Sequence, residues 1–81
     1  MPTREQVRQF VIQNFYVADP GQLPDDASLL ERGVIDSTGV LEVIAFIERT
    51  FAVRVEDEEM LPENLDSIER IAAFVDRKKG H

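Results

Sequence analysis

No cysteine occurs among the 81 residues, so a disulfide framework, a thiolate metal site and a cysteine nucleophile are all excluded. Tryptophan is absent as well, and the single histidine is His81, the last residue of the sequence. A Ser-His-Asp triad or a histidine metal cluster would therefore have to be built on a terminus, where chains fray. Basic residues are scarce: nine Lys and Arg stand against sixteen Asp and Glu, a net charge of −7. Nucleic-acid phosphates would repel such a chain. Long apolar runs are also missing. The longest covers the five residues Val43 to Ile47, against the ~20 that a membrane span needs. No basic start followed by an apolar stretch marks a signal peptide. The length suits one domain over residues 1–81. A domain of this size buries only ~60% of its unfolded surface, so its stability margin is thin. The expectation is a small, acidic, cytoplasmic monomer with no metal site and little equipment for catalysis.

What charge there is lies unevenly. Residues 1–18 carry a net +1, residues 70–81 a net +3, and residues 19–69 a net −11. An acidic middle between weakly basic ends reads either as a solvated face that keeps a small protein in solution or as a surface for a basic partner.

Three segments show helical periodicity. Thr3 with Gln6 makes a capping-box signature, and Val7, Val11 and Phe15 recur at spacing four, widened by Phe10 and Ile12. This helix should fade near Tyr16. Residues 17–35 hold Pro20, Gly21, Pro24 and Gly33 with Asp19, Asp25 and Asp26, a loop by composition. A loop this long needs pinning. Leu23, Leu29, Leu30, Val34 and Ile35 are the candidates to dip into a core, and Ser28 with Glu31 to cap a short turn.

The second helix begins at Asp36 or Ser37, both good N-cap types. Val40, Val43, Ile44, Ile47 and Phe51 then form the cleanest amphipathic stripe in the chain. One helical turn is expected at Asp57 to Met60, before Pro62. The last helix should be capped near Asp66, with Glu69 completing a D-x-x-E box, and Ile68, Ile71, Ala72 and Val75 repeat the stripe. Lys78 and Lys79 suit its C-terminus, where the helix dipole favours cations. The run Phe51 to Val55 is the one strand-like stretch, and it has no partner segment. Helices without strands read as a small all-α bundle.

Ser37 is the residue with chemistry to offer. At the start of a helix it serves as an N-cap worth ~1 kcal/mol, yet Asp36 can do that work. The alternative is a hydroxyl held at the exposed start of a rigid helix, after a long loop and beside a carboxylate. Without histidine it is not activated in place as a nucleophile, but it can accept a group transferred by another enzyme. A helix N-terminus also favours a phosphodiester, through its unpaired N–H groups and its dipole.

The stretch GVIDSTGVLEVIAFIERTF, residues 33–51, resembles the acyl carrier protein signature. The likeness extends over nearly the whole chain. It takes in the long first loop, LLERG ahead of the serine, Phe51 closing helix two, the acidic EDEEM segment as a short third helix, and NLDSI before the last helix. The resemblance implies an acyl-carrier-type four-helix bundle of three longer helices and one short third helix. It implies covalent 4′-phosphopantetheine on Ser37, preceded by Asp36, with acyl or aminoacyl cargo held as a thioester on the arm's thiol. It implies a phosphopantetheinyl transferase and an adenylate-forming ligase or acyltransferase as partners, and no catalytic residues in the chain itself.

Helix geometry places Thr38, Leu41, Ala45 and Glu48 on a face beside the core stripe, with Glu42 and Arg49 next to them. Leu41 is a boundary residue packed under the loop or a partner anchor. Glu42 and Glu48 are solubilising charges or, as in the family, carboxylates that meet basic patches on partner enzymes. Three positions depart from fatty-acid carriers. Thr38 stands where leucine is usual, Gly39 where an acid is frequent, and Arg49 where another acid is frequent. The pattern D-S-x-G-x-x-E resembles D-alanyl carrier proteins and other discrete carriers loaded by ligases. Gly39 weakens the first turn of helix two; it reflects drift or gives a partner's backbone clearance beside Ser37. The sequence leaves the cargo open among fatty acyl, polyketide and aminoacyl groups. The competing function is an unmodified acidic helical interaction domain, in which Ser37 only caps a helix.

Overall fold

The computed structural model describes residues 2–79. Its helices are α1 (Thr3–Asn14), α2 (Ser37–Phe51), α3 (Pro62–Leu65) and α4 (Ile68–Lys78), with 3-10 turns at Pro20–Gln22 and Asp57–Glu59. No strand occurs among the described residues. The fold is all-α, as the periodicity requires. His81 lies outside the described residues.

Helix α1 buries Val7 and Val11 and packs along α4. Its start differs from the sequence expectation. Thr3 is the first helical residue and not the cap; Pro2 precedes the helix with no side-chain cap bond. The Thr3 hydroxyl instead donates to Asp76 Oδ1 at 3.0 Å, tying the start of α1 to α4. Tertiary pairing has taken the side chain that local capping would use. The helix ends at Asn14 because Phe15 turns extended, with φ −131° and ψ 155°.

Residues 15–36 cross to α2 as an irregular segment held at three places. Leu23, Leu29 and Ile35 are buried in the core. The Arg8 guanidinium pairs with Asp25 at 2.7 Å and also donates to the carbonyls of Leu23 and Pro20. Asp66 then ties the loop to the far end of the chain. Its carboxylate accepts from the Ser28 hydroxyl at 2.6 Å and from Leu30 N–H at 2.9 Å, and its carbonyl accepts from Leu29 N–H at 2.7 Å. Ser28 caps its own turn as expected, accepting from Glu31 N–H at 3.1 Å. Leu30, expected in the core, remains exposed, because Leu29 and Ile35 already fill the interior on either side of it.

Two later boundaries also shift. The acidic segment Asp57–Glu59 forms a 3-10 turn, and the short third α-helix follows it at Pro62–Leu65, where proline at the first position presets φ. Ser67 caps α4, accepting from Arg70 N–H at 3.0 Å; Asp66 is occupied with the loop. Helix α4 buries Ile68, Ile71, Ala72 and Val75, and also Phe74. In α2 the buried face is Gly39, Val43, Ile44, Phe46 and Ile47, while Val40 and Phe51 are half-buried. Phe46 falls outside the stripe at spacing three and four. It is buried because Phe10 of α1 stacks on it, with ring centroids 4.1 Å apart and planes 14° from parallel.

Candidate functional site

The site forms where the long loop meets α2. Asp36 is the N-cap: its backbone is extended, and its Oδ1 accepts from Gly39 N–H at 2.7 Å. Ser37 is the first helical residue and is exposed. The sequence left the cap open between these two residues; the geometry gives it to Asp36. Among the described residues none hydrogen-bonds the Ser37 hydroxyl. That hydroxyl therefore stands in solvent at the positive end of the helix dipole, with nothing in the fold making use of it.

Gly39 does not face outward. It is buried, and a Cβ at this position would lie 2.9 Å from Phe15 Cε1 and 3.1 Å from Ile35 Cγ2. The expectation of clearance for a partner is corrected: the space that glycine leaves is filled by the protein's own core. Gly39 is thus buried, and its missing side chain would point into the core and not toward a partner.

Beside Ser37 lies an apolar hollow of about 200 Å³, lined also by Leu30, Val40, Met60, Leu61 and Leu65, with Pro62 and Asp66. Sequence reasoning did not bring Leu30, Met60 and Leu61 to the serine. The available signal was apolar side chains set in polar, proline-bearing segments, where burial alone does not account for them. Below the hollow, Glu59 fixes the turn that precedes Met60. Its carboxylate accepts from Glu56 N–H at 2.9 Å and pairs with Lys78 Nζ at 2.9 Å. Those two donors, the backbone N–H first, hold the Glu59 carboxyl below its ordinary value.

The outer face of α2 carries Thr38, Leu41, Glu42, Ala45, Glu48 and Arg49, all exposed. Leu41 is 61% exposed, which places it outside the core boundary. Glu42, Ala45 and Arg49 border a shallow notch with Phe10 and Asn14 of α1. Glu48 differs from its neighbours: its Oε2 accepts from Val55 N–H at 2.9 Å, so part of its charge is committed to the segment after α2. Arg49 has no partner among the described residues. Of the nine Lys and Arg side chains only Arg32 and Arg49 lack one among the described residues. The face is therefore of mixed charge, with Glu42 and Arg49 both unpaired among the described residues.

Among the described residues no group of three or more His, Cys, Asp and Glu is placed to hold a metal ion, and no helix is long and apolar enough to cross a membrane. Among the described residues none hydrogen-bonds Ser37 as a general base would, so the arrangement suits acceptance of a group. The exposed hydroxyl, the helix N-terminus and the apolar hollow fit a phosphodiester-linked arm. No curated protein matches the chain. The family model for the phosphopantetheine attachment site matches residues 5–75. The chain belongs to that family of carrier domains, which bear covalently attached 4′-phosphopantetheine.

Proposed function

We propose that this protein is an acyl or aminoacyl carrier whose arm is attached at Ser37. The observation that carries the reading is the division of labour at the start of α2: Asp36 caps the helix and leaves the Ser37 hydroxyl exposed and unengaged. When attached, 4′-phosphopantetheine supplies a thiol that holds cargo as a thioester. The chain's own residues present that arm and do not catalyse. The α2 N–H groups and dipole favour the phosphodiester negative charge. Leu30, Val40 and Leu61 line a hollow in which apolar cargo leaves water, at ~0.8 kcal/mol per buried methylene.

Docking is assigned to the outer face of α2, with Thr38 beside the arm, Leu41 as the apolar contact and Ala45 as the flat centre. Glu42 meets a basic group on the partner, and Arg49 an acidic one. The partners are a phosphopantetheinyl transferase, then an adenylate-forming ligase or an acyltransferase. Mixed charge favours a ligase-loaded carrier over one that meets uniformly basic fatty-acid enzymes. The chain is proposed to act as a cytoplasmic monomer of one domain over residues 1–81.

The test is incubation with coenzyme A and a broad-specificity phosphopantetheinyl transferase, followed by intact mass. A gain of one phosphopantetheine in the wild type, and none in Ser37→Ala, is expected. An unchanged wild-type mass would support the unmodified interaction domain instead.

A further inference from the structure

Gly39 is the one glycine within an α-helix among the described residues, and Phe15 fills the space of its missing side chain. That space is closed on three sides: a Cβ there would lie 2.9 Å from Phe15 Cε1, 3.1 Å from Ile35 Cγ2 and 3.4 Å from Asp36 Oδ1. Phe15 is itself backed by other rings. It meets Phe10 edge-on at 5.9 Å, Phe10 stacks on Phe46 at 4.1 Å, and Phe46 meets Phe51 edge-on at 5.7 Å. Four rings thus run from the first turn of α2 to its last residue, two from α1 and its cap and two from α2. Glycine weakens a helical turn relative to alanine. Here it admits a ring against the turn that carries Ser37, and the Asp36 cap bond closes on the same residue.

We propose that Phe15 is a positioning residue for arm attachment. By occupying the place of the side chain that Gly39 lacks, its ring fixes the first turn of α2, and with it Ser37, in the pose a phosphopantetheinyl transferase engages. This rests on Ser37 being the acceptor. In the transfer, the Ser37 oxygen bonds to the coenzyme A phosphorus nearest the pantetheine, and its proton passes to the transferase. The bond from that phosphorus to the bridging oxygen breaks with its electron pair, and adenosine 3′,5′-bisphosphate leaves. Such a displacement is sensitive to placement: a shift of about 1 Å transmitted from a distance can cost ~10²-fold in rate.

Four proteins test the proposal: wild type, Gly39→Ala, Phe15→Leu and the double variant. Each is incubated with coenzyme A and a broad-specificity phosphopantetheinyl transferase, and the mass gain is followed to give kcat and KM. Gly39→Ala is expected to lower kcat about tenfold with KM little changed, because Leu41, Glu42 and Arg49 are untouched. Phe15→Leu alone should lower kcat about threefold, since it removes the brace without adding a clash. The double variant should return to within about twofold of wild type, the leucine vacating what the alanine methyl takes. The amide resonances of Ser37 and Thr38 should shift in each single variant and move back in the double.

A wild-type rate for Gly39→Ala overturns the proposal. So does a loss that Phe15→Leu fails to restore, which would set the new methyl against the transferase and not against the ring. Should Gly39→Ala fail to fold, an unchanged kcat for Phe15→Leu overturns it equally. An unmodified wild type would instead overturn the acceptor reading, and shows before any variant is compared.

Discussion

The Glu48 carboxylate accepts a hydrogen bond from Val55 N–H at 2.9 Å, and this bond ties the segment after α2 back to the helix. Between them Ala52 takes a left-handed conformation at φ 56°, and Val55 is buried. Glu48 and Glu42 are both exposed on α2 but serve different ends. Glu48→Lys strands a half-buried N–H and should cost about 1–3 kcal/mol, while Glu42→Lys should stay within ~0.5 kcal/mol. Glu42→Lys should instead raise KM for the transferase in a salt-sensitive way, because rim charges act through association. Denaturant unfolding beside transfer kinetics at two salt concentrations separates them. Equal stability losses would remove the structural role given to Glu48.

Asp36 and Ser37 should rank in an order that a simple serine cap would reverse. Asp36→Ala removes the bond to Gly39 N–H and should cost ~1 kcal/mol. Ser37→Ala removes an exposed hydroxyl that caps nothing, and should cost ~0.5 kcal/mol or less. Chemical unfolding of the two variants gives the order directly. A larger loss for Ser37→Ala would return the cap to the serine.

Asp66 holds the long loop against the rest of the fold through Ser28 and Leu30. Asp66→Ala leaves both donors without their acceptor, and the expected cost is about 2–4 kcal/mol, at 1.5–3 for each hydrogen bond to a charged group less what water recovers. Hydrogen exchange at the Leu30 amide should speed up well beyond that at Ile71 in the core of α4. Exchange at Leu30 that does not change would show that the loop is held by its buried leucines alone.

The Glu59 carboxyl is held below its ordinary value by Glu56 N–H and then by Lys78. A group whose folded value is depressed adds stability above its unfolded value. That stability is lost as the pH falls through the folded value. Melting temperature should therefore decline on acidification through the carboxylate range, and Lys78→Met should make the Glu59 share of that decline shallower. The same acid limb in both proteins would count against the Glu59–Lys78 pair as its source.

Ile47 is fully buried at the centre of α2. Ile47→Ala should cost ~2–5 kcal/mol through lost burial and a cavity, a large part of what a domain this small has to lose. A negligible shift in melting temperature would show that α2 presents another face to the core.

The sequence by itself determined the all-α fold, the position of α2, the interior stripe of α4 and the central part of that of α2, and it offered Ser37 as the candidate for chemistry. Each rests on local terms: period 3.6 in the apolar residues, breakers in the loop, and cap-type residues before a stripe. It did not decide which neighbour caps which helix. Thr3 and Asp66 are good N-cap types, yet each spends its side chain on a distant segment, Thr3 on Asp76 and Asp66 on Ser28 and Leu30. A cap bond and a tertiary bond are of similar strength, so the choice belongs to whichever partner packing brings within reach. Phe46 and Gly39 show the same rule in the core. One is buried because a ring from α1 stacks on it, the other because Phe15 needs the room, and neither fact is local to α2.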